Sequence, residues 1–287
     1  MQLPLLAQTE NATTPSAPTS SSAPTSADSL FQDAVKAQDP AQQADLYRQY
    51  LKLKPDDAIA LNNLGIALKK QGNYEGAVDS YRKAIQNVPE GDNPRAAKIY
   101  NNLGEALRLQ SKTPEALEAF NKALVLDPKL SFAYNNVGKI YFSQNRLEDA
   151  IVSFQKAVAI NPKEAEPQGN LAGALIAAKR YQEAALAARQ GVKADPEDPI
   201  TRYNLGLALM KQAEALNTLI EQKDSKSKKQ LEVELKTAKD LSKFFRKQSE
   251  TELKGAKMLF EKKGDQKNSA RVGALLQSFP SESKQLP

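Results

Sequence analysis

Apolar residues recur along this chain at helical spacing and in pairs of stripes. Within residues 131–164, Tyr134, Val137, Gly138 and Tyr141 form one i, i+3, i+4, i+7 stripe. "SQNRLED" breaks the pattern, and Ala150, Phe154, Ala157 and Val158 form a second. Pro162 closes that second helix, since proline cannot continue one. Two antiparallel helices with small residues at their crossing make a hairpin. The unit repeats. Gly65, Gly104, Gly138, Ala172 and Gly206 mark one register, Ala77, Ala116, Ala150 and Ala184 a second, and Pro89, Pro128, Pro162 and Pro196 a third. After the first interval the register is spaced by 34 residues. A fixed period of this length means stacked supersecondary units, none of which buries its apolar face alone.

These residues resemble the tetratricopeptide repeat. Residues 58–91 carry the signature as Leu61, Leu64, Gly65, Leu68, Ala77, Tyr81 and Pro89; residues 97–130 carry it as Tyr100, Leu103, Gly104, Leu107, Ala116, Phe120 and Pro128. Residues 165–198 depart from it at Gln168 and Ala188. The resemblance implies an all-α, right-handed superhelical solenoid of helical hairpins. The units expected are a degenerate first repeat over 24–57, four repeats over 58–198 and a capping helix of a partial repeat over 199–222. A C-terminal long-helix extension follows: a basic amphipathic stretch over 223–263, then a mostly disordered tail over 264–287. Asp92 to Ala96 are inserted between two units, and Asn93-Pro94 reads as an N-cap with proline at the first helical position, so a longer loop is expected there.

In front of the repeats, residues 1–28 read as a disordered Ser/Thr/Pro segment, because "QTENATTPSAPTSSSAPTSAD" has almost nothing to bury. "MQLPLLA" has the form of a signal-peptide remnant without a basic n-region. Location is therefore left open between the cytoplasm and a periplasm-like compartment.

Composition then narrows the chemistry. The chain of 287 residues has no cysteine and no histidine. Disulfides and thiolate chemistry are excluded, and the commonest general base and metal ligand are missing. No catalytic site, cofactor or metal is expected. The formal net charge of +6 resides in residues 211–271. The basic helices of this stretch suit packing on the repeats, pairing into a homodimer or coiled coil, or contact with an anionic membrane surface. Mixed signs and the lack of an aromatic platform argue against nucleic acid.

The quartets "NNLG", "NNLG" and "NNVG" pose the functional question. Asparagine is a poor helix former, yet Asn62 and Asn63, Asn101 and Asn102, and Asn135 and Asn136 stand inside first helices, and Asn170 and Asn204 continue the register of the second member. In the family this face lines the concave groove. An amide can pair with both groups of one peptide unit, and the register is similar to the asparagine array in the repeat domain of O-linked N-acetylglucosamine transferases. The resemblance implies an interaction scaffold that holds an extended polypeptide, or an adaptor that delivers one to a catalytic partner. The peptide-contacting set is Asn62, Asn63, Asn101, Asn102, Asn135, Asn136, Asn170, Asn204, Lys98, Lys139 and Phe142. Lys69, Lys70 and Arg108 add charge to the early groove; Ile176, Ile200, Tyr203, Leu207 and Met210 make the later groove apolar. The family's carboxylate clamp is not reproduced in register. If the amides face an open groove, their replacement by alanine should leave stability intact.

Overall fold

The computed structural model describes residues 26–223 and 230–279. Among them are thirteen helices and no strand. Five hairpins come first: α1 (Ala27–Lys36) with α2 (Pro40–Leu53), α3 (Ala58–Lys70) with α4 (Tyr74–Gln86), α5 (Asn93–Leu109) with α6 (Thr113–Leu126), α7 (Ser131–Ser143) with α8 (Leu147–Ile160), and α9 (Ala165–Ala177) with α10 (Tyr181–Ala194). They are followed by α11 (Pro199–Lys223), α12 (Gln230–Lys262) and α13 (Gln266–Gln277). The hairpins stack into a solenoid in which each helix packs on its sequence neighbours.

What holds each hairpin is the crossing of its two helices. A Cβ on Gly65 would lie 2.5 Å from the Tyr81 ring, one on Gly104 2.7 Å from Phe120, and one on Gly138 2.6 Å from Phe154. The three rings are fully buried. Each occupies the space that a side chain on the first helix would need. The fifth hairpin uses two small residues instead, Ala172 and Ala188, both inaccessible. The first has Phe31 at the glycine register, packed edge-on against Tyr47 with centroids 5.8 Å apart.

The turn inside the second to fifth hairpins is a Schellman closure. Asn73, Lys112, Arg146 and Arg180 donate backbone N–H groups to Leu68, Leu107, Tyr141 and Leu175, at 2.8–3.0 Å. The residue before each donor is left-handed: Gly72 at φ 79°, Ser111 at 62°, Asn145 at 58° and Lys179 at 61°. Only the first is a glycine, so the other three hold a conformation that L-residues avoid. Between hairpins, Asp57, Asp92 and Asp198 cap the helix that follows, whereas Leu130 and Glu164 make no side-chain cap bond. The Asp57 carboxylate accepts from the N–H groups of Ile59 and Ala60 at 2.9 and 3.0 Å and from the Tyr50 hydroxyl at 2.6 Å. Burial pushes its pKa up, but the Tyr50 hydroxyl and the backbone donors outweigh burial and hold it below the ordinary carboxylate value.

Three expectations change. The insertion at 92–96 lengthens a helix more than a loop. Asp92 is the N-cap, accepting from the Arg95 N–H at 3.2 Å, and Pro94 sits in the first turn of a 17-residue α5, where its missing N–H costs nothing. Next, α11 belongs to a full hairpin rather than a partial repeat. A Cβ on Gly206 would lie 2.7 Å from Leu253 Cγ of α12, and the Ser249 hydroxyl donates to the Gly206 carbonyl at 2.7 Å. α11 and α12 run on as two long antiparallel arms where the other hairpins turn. Finally, residues 266–277, expected to fray, form α13. Asp265 caps it by accepting from the Asn268 N–H, and buried Val272 packs with Leu253, Ala256 and Phe260 of α12. The N-terminal expectations for residues 1–25 lie outside the described residues.

Three outcomes follow for stability. Lys179→Gly should stabilise the protein by roughly 0.5–1 kcal/mol in urea denaturation, because the left-handed strain is relieved at the cost of some backbone entropy; Gly104→Ala should destabilise it by about 1–3 kcal/mol, by forcing Phe120 aside. Asp57→Ala should cost about 1 kcal/mol at neutral pH. Because folding lowers the Asp57 pKa, that difference should be whole above pH ~4 and shrink as pH falls through the depressed value, which melts of both proteins across pH 2–7 would show.

Candidate functional site

The first helices of successive hairpins, α3, α5, α7, α9 and α11, lie side by side and present one face to a common groove. The asparagines stand on this face, and they bond chiefly to one another. Asn102 Nδ2 donates to Asn62 Oδ1 at 2.9 Å, Asn136 Nδ2 to Asn101 Oδ1 at 3.0 Å, and Asn170 Nδ2 to Asn135 Oδ1 at 2.9 Å. The second asparagine of each hairpin thus grips the first asparagine of the hairpin before it. Both ends of the row continue the rule with other partners. Asn63 Nδ2 donates to the Tyr47 hydroxyl at 3.2 Å, and Asn204 Nδ2 to the Gly169 carbonyl at 3.0 Å. On α13, Arg271 lies over the ring of Tyr203, 5.7 Å from its centroid.

The condition under which alanine replacement was expected to leave stability intact, amides facing an open groove, is therefore not met by the bonded pairs. Asn135 and Asn136 are only 3% and 7% exposed. The reason is geometric: Cβ atoms of neighbouring first helices come close enough for two short amides to meet across the seam. A buried amide without a partner would cost about 1–3 kcal/mol, so the amides satisfy each other before any ligand arrives.

The early-groove cations are engaged in a similar way. Lys69 of α3 pairs with Glu105 of α5, and Lys139 of α7 pairs with Glu166 of α9, whose Oε1 also accepts from Asn135 Nδ2 at 3.2 Å. Lys98 and Lys70 are exposed and make no ion pair among the described residues.

The later groove is a cavity of about 510 Å³. Of the residues singled out in sequence, Lys139, Phe142, Asn170, Ile176, Ile200, Tyr203, Asn204 and Leu207 line it together; Met210 does not. Phe142 and Ile200 are 42% and 54% exposed. The far wall comes from the C-terminal helices: Phe260 of α12, and Asn268, Arg271 and Val272 of α13. The sequence left open whether the C-terminal helices meet this end of the groove; α12 and α13 do, and the part of the wall from α13, expected to fray, is the part that sequence reasoning missed.

Stacked hairpins with one side-by-side row of helices define an α-solenoid repeat protein with a concave groove. Models of the tetratricopeptide repeat match residues 56–129, 131–164 and 170–216, together more than half of the chain, and the chain belongs to that family. No curated protein matches it in sequence. Among solved structures, it is similar to the APC/C hetero-tetramer Cut9-Hcn1, at 16% identity and a TM-score of 0.63 over 89% of this chain and 43% of that one. It is also similar to the C-terminal part of a repeat-containing protein from Cytophaga hutchinsonii, at 13% identity and a TM-score of 0.57 over 90% and 95%. A third likeness, to MamA residues 41-end from Desulfovibrio magneticus RS-1, has 20% identity and a TM-score of 0.50 over 59% and 93%. At these identities the likeness is one of fold.

Asn136→Ala should lower stability by about 0.5–1.5 kcal/mol despite alanine's better helix propensity, because it strands the Asn101 carbonyl. A double-mutant cycle of Asn101→Ala and Asn136→Ala should give a coupling energy above ~0.5 kcal/mol. Additive effects in chemical denaturation would show that the two amides do not act as a pair.

Proposed function

We propose that this protein is a non-catalytic interaction scaffold that holds an extended polypeptide in its concave groove, with apolar side chains of the partner seated at the C-terminal end. The observation that carries this reading is the cavity where Phe142 and Ile200 stand open to solvent beside the Asn170 and Asn204 amides. Solvent-exposed apolar side chains inside a concavity lose unfavourable water contact when a ligand covers them. Polar groups at the rim then fix its direction. The amide row keeps the first helices in fixed register, so the groove is preorganised and little ordering cost falls on binding. The non-catalytic part of the proposal rests on composition, since the chain has neither histidine nor cysteine.

A library of displayed twelve-residue peptides should yield binders enriched in large apolar residues. The double variant Phe142→Asp, Ile200→Asp should weaken those binders by about tenfold or more, equivalent to ~1.4 kcal/mol, in a fluorescence titration, with an unchanged melting curve. Binders unaffected by the pair would remove the groove end from the site.

A further inference from the structure

Helix α11 serves two cavities. Tyr203, Asn204 and Leu207 face the groove, whereas Leu205 and Leu209 form the floor of a separate cleft of about 600 Å³ between α10 and α12. The two cavities share no lining residue. Val192 of α10 and Phe244 of α12, the latter 52% exposed, add to the apolar surface of the cleft.

The charge around this cleft is one-sided. Arg189 and Lys193 enter from α10 and Lys247 from α12, and no ion pair engages any of them among the described residues. Arg189 reaches across to the neutral Gln248 at 3.3 Å. The one carboxylate in the lining, Glu252, is held by Arg202 at 2.9 Å and is largely neutralised. The result is an apolar floor beneath three uncompensated cations.

We propose that the α10–α12 cleft is a second docking site, for an acidic polypeptide segment that anchors an apolar side chain beside Phe244. Opposite charge at the rim steers and orients such a partner, while burial against Phe244, Leu205 and Val192 holds it. A bilayer surface is flat and would not reach the floor between two helices. Nucleic acid would call for a stacking platform that a single phenylalanine does not make. With the groove on one face of α11 and this cleft on the other, the sixth hairpin can bridge two polypeptides.

The test uses the full chain and a fluorescein-labelled peptide, Glu-Asp-Leu-Phe-Glu-Asp-Leu-Leu-Glu, read by anisotropy. A counterpart with lysine at every acidic position and vesicles of phosphatidylserine with phosphatidylcholine complete the set. The acidic peptide should bind about tenfold or more tighter than the basic one. Lys193→Glu with Lys247→Glu should reverse that preference, and Phe244→Ala should weaken the acidic peptide several-fold; all three side chains lie at the surface of the cleft, and circular dichroism melts would verify folding. Should the charge reversal unfold the chain, Lys247→Gln alone should still weaken the acidic peptide. An unchanged preference in the folded charge-reversed protein would overturn the proposal. So would a loss confined to Phe142→Asp with Ile200→Asp, which would assign the peptide to the groove. Vesicle binding abolished by charge reversal with peptide binding untouched would assign the cleft to membranes instead.

Discussion

The structure depends on one steric exchange: in four hairpins the first helix gives up a side chain so that a large residue of its partner can lie on the bare backbone. Gly65, Gly104, Gly138 and Gly206 make that concession to Tyr81, Phe120, Phe154 and Leu253. The exchange sets the distance between the helices of a hairpin, and through it the tilt at which the next hairpin stacks. Where it fails, neighbouring residues adjust. Ala172 and Ala188 leave less bulk in the fifth hairpin, and α9, α10 and α11 close around Thr201, which is fully buried against Gly169 and Gly191. That closeness brings Asn204 within reach of a backbone carbonyl instead of another side chain.

Because the hairpins are placed so regularly, short polar side chains can join them. An amide-to-amide bond tolerates little error in distance, and Asn62 to Asn102, Asn101 to Asn136 and Asn135 to Asn170 all meet that demand. Directional bonds of this kind add less to net stability than apolar burial does, but they fix register, as a greasy seam would not. The groove is therefore a surface whose shape is decided before it meets a ligand. Its amides are already committed to one another, which leaves Phe142 and Ile200 as the exposed apolar side chains at its C-terminal end.

Much of this was legible in the order of residues. The 34-residue period, the helix crossings and the prolines between hairpins specify the solenoid because they are local and repeat. The partner of each asparagine was harder to see, although the spacing carries it: Asn101 and Asn136, like Asn135 and Asn170, are separated by one residue more than the period. A repeat-by-repeat alignment stacks equivalent positions and hides such an offset. The sixth hairpin escaped for a different reason. Leu253 stands 47 residues after Gly206, against 16 in the earlier pairs, so the period that revealed the others is lost. The insertion at 92–96 misled because a proline after a polar residue is as compatible with a helix start as with a loop, and Asp92 supplies the cap.

That long separation also bears on how the chain comes together during synthesis. The earlier hairpins close short loops and can form as soon as their residues emerge. The sixth must bring together segments nearly three times as far apart, an entropic cost greater by about 1 kcal/mol, and it cannot start until α12 has been made. Until then the apolar face of α11 that later packs under α12 has nothing to cover it. Transiently uncovered apolar surface is a route to aggregation, and here it lasts for the time the ribosome takes to travel from Gly206 to Leu253. The polar, strongly charged sequence between these residues keeps the nascent chain hydrated over that stretch.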